Sequence, residues 1–280
     1  MHIATTKAKT ALFLLVMLTT TGLWAGPPFQ TDDPEPVDFR HYEVYLFGAT
    51  DGTPVETDPV GPAFEANWGA APNLQLHIIL PVGAILPSNN PLYSPAGVGP
   101  SAYGLEDIEL GAKYRFVKET KHRPQFGTFT MLEVPTGSYA RGLGVGKVWY
   151  KLPIWVQKSW GHWTSYGGAG YQIVKQTQYR DFAYGGWLMQ RDIGKKLTLG
   201  TEIFSHGAEG LATPQTRPAT MIDVGGYYYI RNPGWQILFA YGHTAFGQSE
   251  TYAYFGLYHT WGSKTGKGPS GFLADRPSTL

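Results

Sequence analysis

The chain has 280 residues, a formal net charge of +1, 15% charged residues and 15% aromatics, where soluble domains carry roughly 25% charged residues. Near-neutrality excludes the basic footprint that a nucleic-acid partner leaves. The absence of cysteine removes disulfide scaffolds and cysteine-based metal sites together.

At the N-terminus, Lys7 and Lys9 precede an apolar run from Ala11 to Met17, and small residues follow at Gly22 and Ala25. That order reads as an export signal over 1–25 with cleavage after Ala25. The run is shorter than the roughly 20 residues a membrane-spanning helix needs. No later stretch is apolar enough for such a helix, so the mature chain is either soluble after export or crosses a membrane as a closed barrel. Residues 26–40, GPPFQTDDPEPVDFR, are rich in proline and acids and pair poorly in a sheet, so they read as an extended periplasmic lead-in. Asp32, Asp33 and Glu35 lack the spacing and glycine turn of a calcium loop and read as a solvated acidic stretch.

Twelve alternating segments follow, at Tyr42–Ala49, Ala63–Trp68, Leu74–Ile85, Leu105–Phe116, Phe126–Val134, Val148–Ser159, Trp163–Val174, Phe182–Gln190, Leu197–Phe204, Met221–Ile230, Trp235–Gly242 and Tyr252–Trp261. The odd-numbered connections read as long and most even-numbered ones as tight, with 117–124 a longer exception. Long loops at one end and short turns at the other are the pattern of bacterial outer-membrane barrels. Trp68, Phe116, Trp160, Trp163, Trp235 and Trp261 all fall near the short-turn end, where an interfacial aromatic girdle belongs. The predicted fold is an all-β, transmembrane, antiparallel up-and-down β-barrel of about twelve strands over 41–261, with a polar tail over 262–280.

Strand alternation assigns the faces. In GLEDIELGAKYRF, Ile108, Leu110, Ala112, Tyr114 and Phe116 share one face, and Asp107, Glu109, Lys113 and Arg115 the other. A soluble sandwich would put the charges on its surface. A barrel puts them in a wet lumen, because a charge facing lipid near the midplane costs roughly 2–4 kcal/mol. The lumen-lining candidates are Glu43, Glu65, His77, Asp107, Glu109, Lys113, Arg115, Glu133, Lys151, Glu202 and Asp223. Asp107 and Glu109 are expected to form internal ion pairs with Lys113 and Arg115. Acids outnumber bases in this set, unlike the Arg or Lys rings of an anion pore. Pro153 predicts a bulge or late start in its strand, and TYAYFGLYHTW carries aromatics on both faces, which leaves its phase open.

No HExxH, Walker loop or GxSxG elbow occurs, and no metal ligand set or cofactor is expected. A lipid-modifying hydrolase remains the rival class, with Ser205 and His206 or His243 and Ser249 as candidates; adjacent Ser205 and His206 point to opposite strand faces and cannot pair there. A purely structural or adhesive barrel is the third reading.

GLEDIELGAKYRF, the PTGSYARGLGVG loop and the closing AYGHTAFGQSETYAYFGLYHTW resemble the outer-membrane β-barrel family of the MetA pathway of phenol degradation, the meta-cleavage route. The resemblance implies an outer-membrane transporter whose partners are membrane lipid and small hydrophobic or aromatic solutes, and it carries over no catalytic residues. Many outer-membrane barrels end on an aromatic residue that the insertion machinery reads; here the tail follows Trp261, which points to an internal signal. The long connection 88–104 is expected outside the cell, folded partly over the lumen mouth, with Leu92, Tyr93, Val98 and Tyr103 as apolar anchors of a lid.

Overall fold

The computed structural model describes residues 27–89, 101–210, 216–231 and 234–262. The predicted signal, the tail beyond Gly262 and the lid candidates Leu92, Tyr93 and Val98 lie outside the described residues.

One antiparallel sheet is built from β1 (His41–Gly52), β2 (Glu56–Ala71), β3 (Leu74–Pro87), β4 (Ala102–Leu105), β5 (Ile108–Val117), β6 (Gln125–Val134), β7 (Trp149–Trp160), β8 (Trp163–Val174), β9 (Phe182–Ile193), β10 (Leu197–His206), β11 (Ala219–Arg231), β12 (Trp235–Gly247) and β13 (Thr251–Gly262). β4 and β5 both pair with β3 and are two pieces of one wall strand, broken at Glu106 and Asp107. The wall therefore has twelve positions. β1 pairs with β2 on one side and with β13 on the other, from His41 opposite Gly262 to Gly52 opposite Thr251. Closure gives every full-length wall strand a neighbour on both sides, so most of the wall's backbone groups pair within the sheet, as a bilayer requires.

The connections correct one expectation. The first and last at the loop end, residues 53–55 and 248–250, are tight, because β1, β2, β12 and β13 run on past their predicted ends. β2 absorbs Gly61 and Pro62 through a register shift between Val60 and Ala63. The long connections at that end are 88–101, 135–148, 175–181 and 207–218. Pro153 also departs from expectation. β7 keeps continuous register with β8, Pro153 facing Gly170, while its pairing with β6 lapses between Gly127–Trp155 and Met131–Lys151. The missing proline N–H falls in that gap, where the Thr128 hydroxyl donates to the Pro153 carbonyl at 2.6 Å.

Outward side chains are apolar. Leu46, Phe64, Leu110, Ile154, Ile203, Val224 and Phe255 are exposed, as lipid-facing groups are in the isolated barrel. Trp68, Trp160, Trp163, Trp235 and Trp261 ring the turn end. Inside, the phase of β13 is plain: Tyr252, Tyr254 and Tyr258 point inward and are buried, and Phe255 points out. They join Tyr45, Tyr166, Tyr227, Tyr229 and Phe29 in an aromatic cluster. The rings fill volume, and the hydroxyls of Tyr45, Tyr252 and Tyr258 reach polar partners.

Candidate functional site: a lumen occupied by the N-terminal segment

Residues 27–40 are not a solvated lead-in. Residues 27–38 run through the barrel interior, and Phe39 and Arg40 emerge exposed at the turn end. Near the loop end the Tyr252 hydroxyl donates to the Pro28 carbonyl at 2.9 Å. Further down, the Gln30 amide donates to Glu202 at 3.0 Å and the Thr31 amide donates to the same carboxylate. Lys113 Nζ then lies 2.8 Å from Asp32 and 3.4 Å from Asp33. Glu35 meets Arg115 at 3.0 Å and accepts from Gln125 Nε2 at 3.0 Å. At the turn end the Val37 amide donates to Gln75 Oε1 at 2.9 Å, and the Arg40 amide to the Gly69 carbonyl at 2.8 Å. The composition of the segment accounts for this. Four prolines remove amide donors that no ladder would satisfy, and three acids meet cations projecting from the wall.

The wall is thinned where the segment passes. A Cβ on Gly69 would fall 1.9 Å from the Asp38 carbonyl oxygen, one on Gly127 2.9 Å from Pro34 Cβ, one on Gly186 1.9 Å from Thr31 Oγ1, and one on Gly200 3.2 Å from Phe29 Cζ. Four strands thus contribute an inward glycine under the segment, so the backbones approach closely.

The predicted lumen residues fall into three groups. Lys113, Arg115 and Glu202 hold the segment, and Asp223, opposite Glu202 in the ladder, lies 3.5 Å from Gln30 Nε2. The expected pairing of Lys113 and Arg115 with Asp107 and Glu109 is not formed, because the N-terminal acids occupy both cations. Glu43, Glu65, His77 and Glu109 form a second group facing the segment. Glu43 accepts from Tyr258 at 2.9 Å and Tyr45 at 3.2 Å. Glu65 accepts from Asn67 at 2.8 Å, and His77 lies 2.7 Å from Asn67 Oδ1 and 3.0 Å from Glu109. Toward the loop end, Glu133 pairs in the ladder with Trp149, and Lys151 sits over the Trp149 ring at 5.0 Å. Asp107 instead accepts from the Gly137 amide at 2.8 Å and the Val145 amide at 2.9 Å. It is buried and anchors the 135–148 loop. Tyr103 belongs to β4, is 62% exposed and alternates outward from buried Ala102, so it does not lie across the mouth.

Beside the segment, a small interior space of about 20 Å³ is lined by Pro27, Asp32, Glu35, Glu43, Glu65 and Lys113 among others. Above it, β7, β9 and β10 present an aromatic wall: Trp155 lies 6.3 Å from Tyr184, Tyr184 6.3 Å from Phe204, and Phe182 6.2 Å from His206. Ser205 and His206 diverge as alternation requires, Ser205 donating to Thr220 and His206 lying 2.9 Å from Glu250. Among the described residues no group of three or more His, Asp or Glu is placed to hold a metal ion. Sequence reasoning missed the occupied lumen. Its one signal is a matched spacing, two acids at 33 and 35 and two cations at 113 and 115.

No protein-family model and no curated protein sequence matches the chain. Solved structures do. The COG4313 outer membrane channel from Pseudomonas putida F1 aligns with a TM-score of 0.64 at 15% identity, over 85% of this chain and 100% of that one. The KdgM porin aligns at 0.51 and 9% identity, over 78% and 99%. The NanC porin aligns at 0.52 and 7% identity, over 77% and 98%. At these identities the likeness is one of fold. Together with sheet closure and an apolar outer face, it defines the protein as an outer-membrane β-barrel of twelve wall strands.

Proposed function

We propose that the protein is a passive outer-membrane channel for small hydrophobic or aromatic solutes, closed in the described state by residues 27–40. The observation that carries this reading is that the segment in the lumen is no part of the wall. All wall ladders close without it, so its departure leaves a continuous barrel with a vacated interior. The solute class draws support from the aromatic wall of Trp155, Phe182, Tyr184 and Phe204 and from the resemblance to the phenol-degradation family. Inward acids such as Asp51 and Glu133 outnumber Lys151 toward the loop end, which disfavours anions. Planar-bilayer recording together with liposome uptake of a neutral aromatic and of an aromatic carboxylate tests this. The neutral compound is expected to enter faster. A barrel that stays non-conducting after residues 27–38 are deleted, or that prefers the carboxylate, refutes the assignment.

A further inference from the structure

The turn end of the barrel carries its charge unevenly. Residues 118–124, 158–163 and 191–196 hold seven lysines and arginines against two acids. The remaining turn-end segments, 38–42, 68–74, 228–235 and 258–262, hold two cations and one acid. Their outer face is an aromatic stack instead, with Trp235 4.2 Å from His259, His259 5.5 Å from Trp261 and Trp261 5.7 Å from Tyr42.

In the basic sector both acids are committed within the chain. Glu119 takes Lys158 Nζ at 2.6 Å, and Asp192 accepts from the Thr198 hydroxyl at 3.1 Å. Lys118, Lys121, Arg123, Arg191 and Lys195 are exposed, and no ion pair among the described residues includes them.

Arg191 stands on the lipid side. Leu188 and Gln190 of β9 are buried in the interior, so alternation turns Met189 and Arg191 outward. Arg191 lies opposite Trp163 in the β8–β9 ladder, and Trp163 lies opposite Trp160 in the β7–β8 ladder, so the three form one row across the outer face. The guanidinium sits over the Trp163 ring at 5.2 Å. Tryptophan at the end of a spanning strand marks the headgroup level, which is where a phosphate sits. A guanidinium is weakly hydrated, stacks on aromatic faces and presents a planar fork of donors that matches phosphate oxygens.

We propose that this basic sector of the turn end is a binding surface for anionic phospholipid headgroups, with Arg191 on Trp163 taking the phosphate and Lys195, in the turn that follows β9, adding a second charge. Short turns face the periplasm, so the lipid belongs to the inner leaflet. A soluble acidic protein fits less well, because the row of Trp160, Trp163 and Arg191 faces sideways into the bilayer and not along the barrel axis.

The mature protein reconstituted in liposomes, with spin-labelled phosphatidylglycerol and phosphatidylcholine as probes, tests this. Phosphatidylglycerol is expected to associate with the barrel at least about fivefold more strongly, as one cation at an anionic headgroup allows. That ratio should fall toward one at high salt. Arg191→Gln combined with Lys195→Gln should bring it toward one at low salt, whereas Lys147→Gln combined with Lys175→Gln, at the loop end, should leave it unchanged. If the first pair fails to insert, Trp163→Leu removes only the ring beneath the guanidinium and should lower the ratio about twofold. A ratio of one in the parent, a ratio unmoved by the Arg191 and Lys195 changes, or an equal loss in the loop-end pair would each overturn the assignment; the first would leave the basic sector to an acidic protein of the periplasm. Conduction enters none of these readouts, so the channel reading stands or falls separately.

Discussion

Toward the turn end of the lumen, Lys113 and Arg115 meet carboxylates of the N-terminal segment at 2.8 and 3.0 Å. Toward the loop end, Asp51, Glu133 and Lys151 form no ion pair among the described residues, and the Asp58 Oδ1 atom has no hydrogen-bond partner. One half is a polar interior completed by a strand-free piece of chain; in the other, these three wall charges have no ion-pair partner among the described residues. The same inward alternation of the wall serves both. What distinguishes them is how much of residues 27–40 each receives: Pro28, on Tyr252, marks the start of the segment near the loop end, and its acids all meet the wall further down.

Removing the segment should erase the difference most completely. Deletion of residues 27–38 is expected to leave heat-modifiable gel mobility and the β-type circular dichroism intact, and to turn a closed barrel into one that conducts continuously in a planar bilayer. A deletion protein that folds and remains closed would show that something other than the segment blocks the path.

The next largest effect tests the central contact alone. Lys113→Met leaves Asp32 and Asp33 buried without their cation, and breaking a buried pair from one side costs about 3–5 kcal/mol. The closed-to-open ratio in single-channel records should fall by at least about a hundredfold, with wall strands unaffected. An equal open fraction in variant and parent would mean that the ion pair does not hold the segment.

A substitution on the other side of the wall sharpens the contrast. Val224 is exposed on the outer face of β11 and lies near mid-strand. Val224→Arg is expected to lower barrel stability by about 2–4 kcal/mol in lipid, read as the urea midpoint of unfolding from liposomes, while the open fraction stays as it was. A change in gating without a change in unfolding would reverse the assignment of faces.

Gly69→Ala gives the smallest effect. Its new methyl meets the backbone of Val37 and Asp38, which cannot rotate aside. Overpacking of this kind costs about 1–3 kcal/mol, expected as a modest rise in open fraction and none in unfolding of the wall. Gly69→Ala closing as tightly as the parent would count against the close fit at the turn end.

Much of the wall is legible in the sequence because period-two alternation reports faces directly. GLEDIELGAKYRF separates Leu110 and Tyr114 from Glu109 and Lys113, and the structure puts the first pair out and the second in. The contents of the lumen are not legible in the same way. Proline and acid in residues 27–40 correctly argue against a strand, but a solvated stretch and one threaded through a polar interior have the same composition. The partners of Asp33 and Glu35 lie about eighty residues away at Lys113 and Arg115, and no local pattern joins them. Gly69, Gly127, Gly186 and Gly200 look like ordinary strand glycines until the chain above them is known. Tyr103 misled because its loop was read as longer than it is; β4 claims it.

The segment that fills the lumen is covalently continuous with β1 at His41. Fully extended, residues 27–40 reach roughly 45 Å, enough to leave the interior by the turn end without ever being lost. Re-entry is therefore intramolecular, at an effective concentration on the order of millimolar. Closing should follow first-order kinetics that are independent of protein density, the same for a single barrel in a bilayer as for a crowded membrane, and no separate blocking subunit has to be supplied in proportion to the barrels.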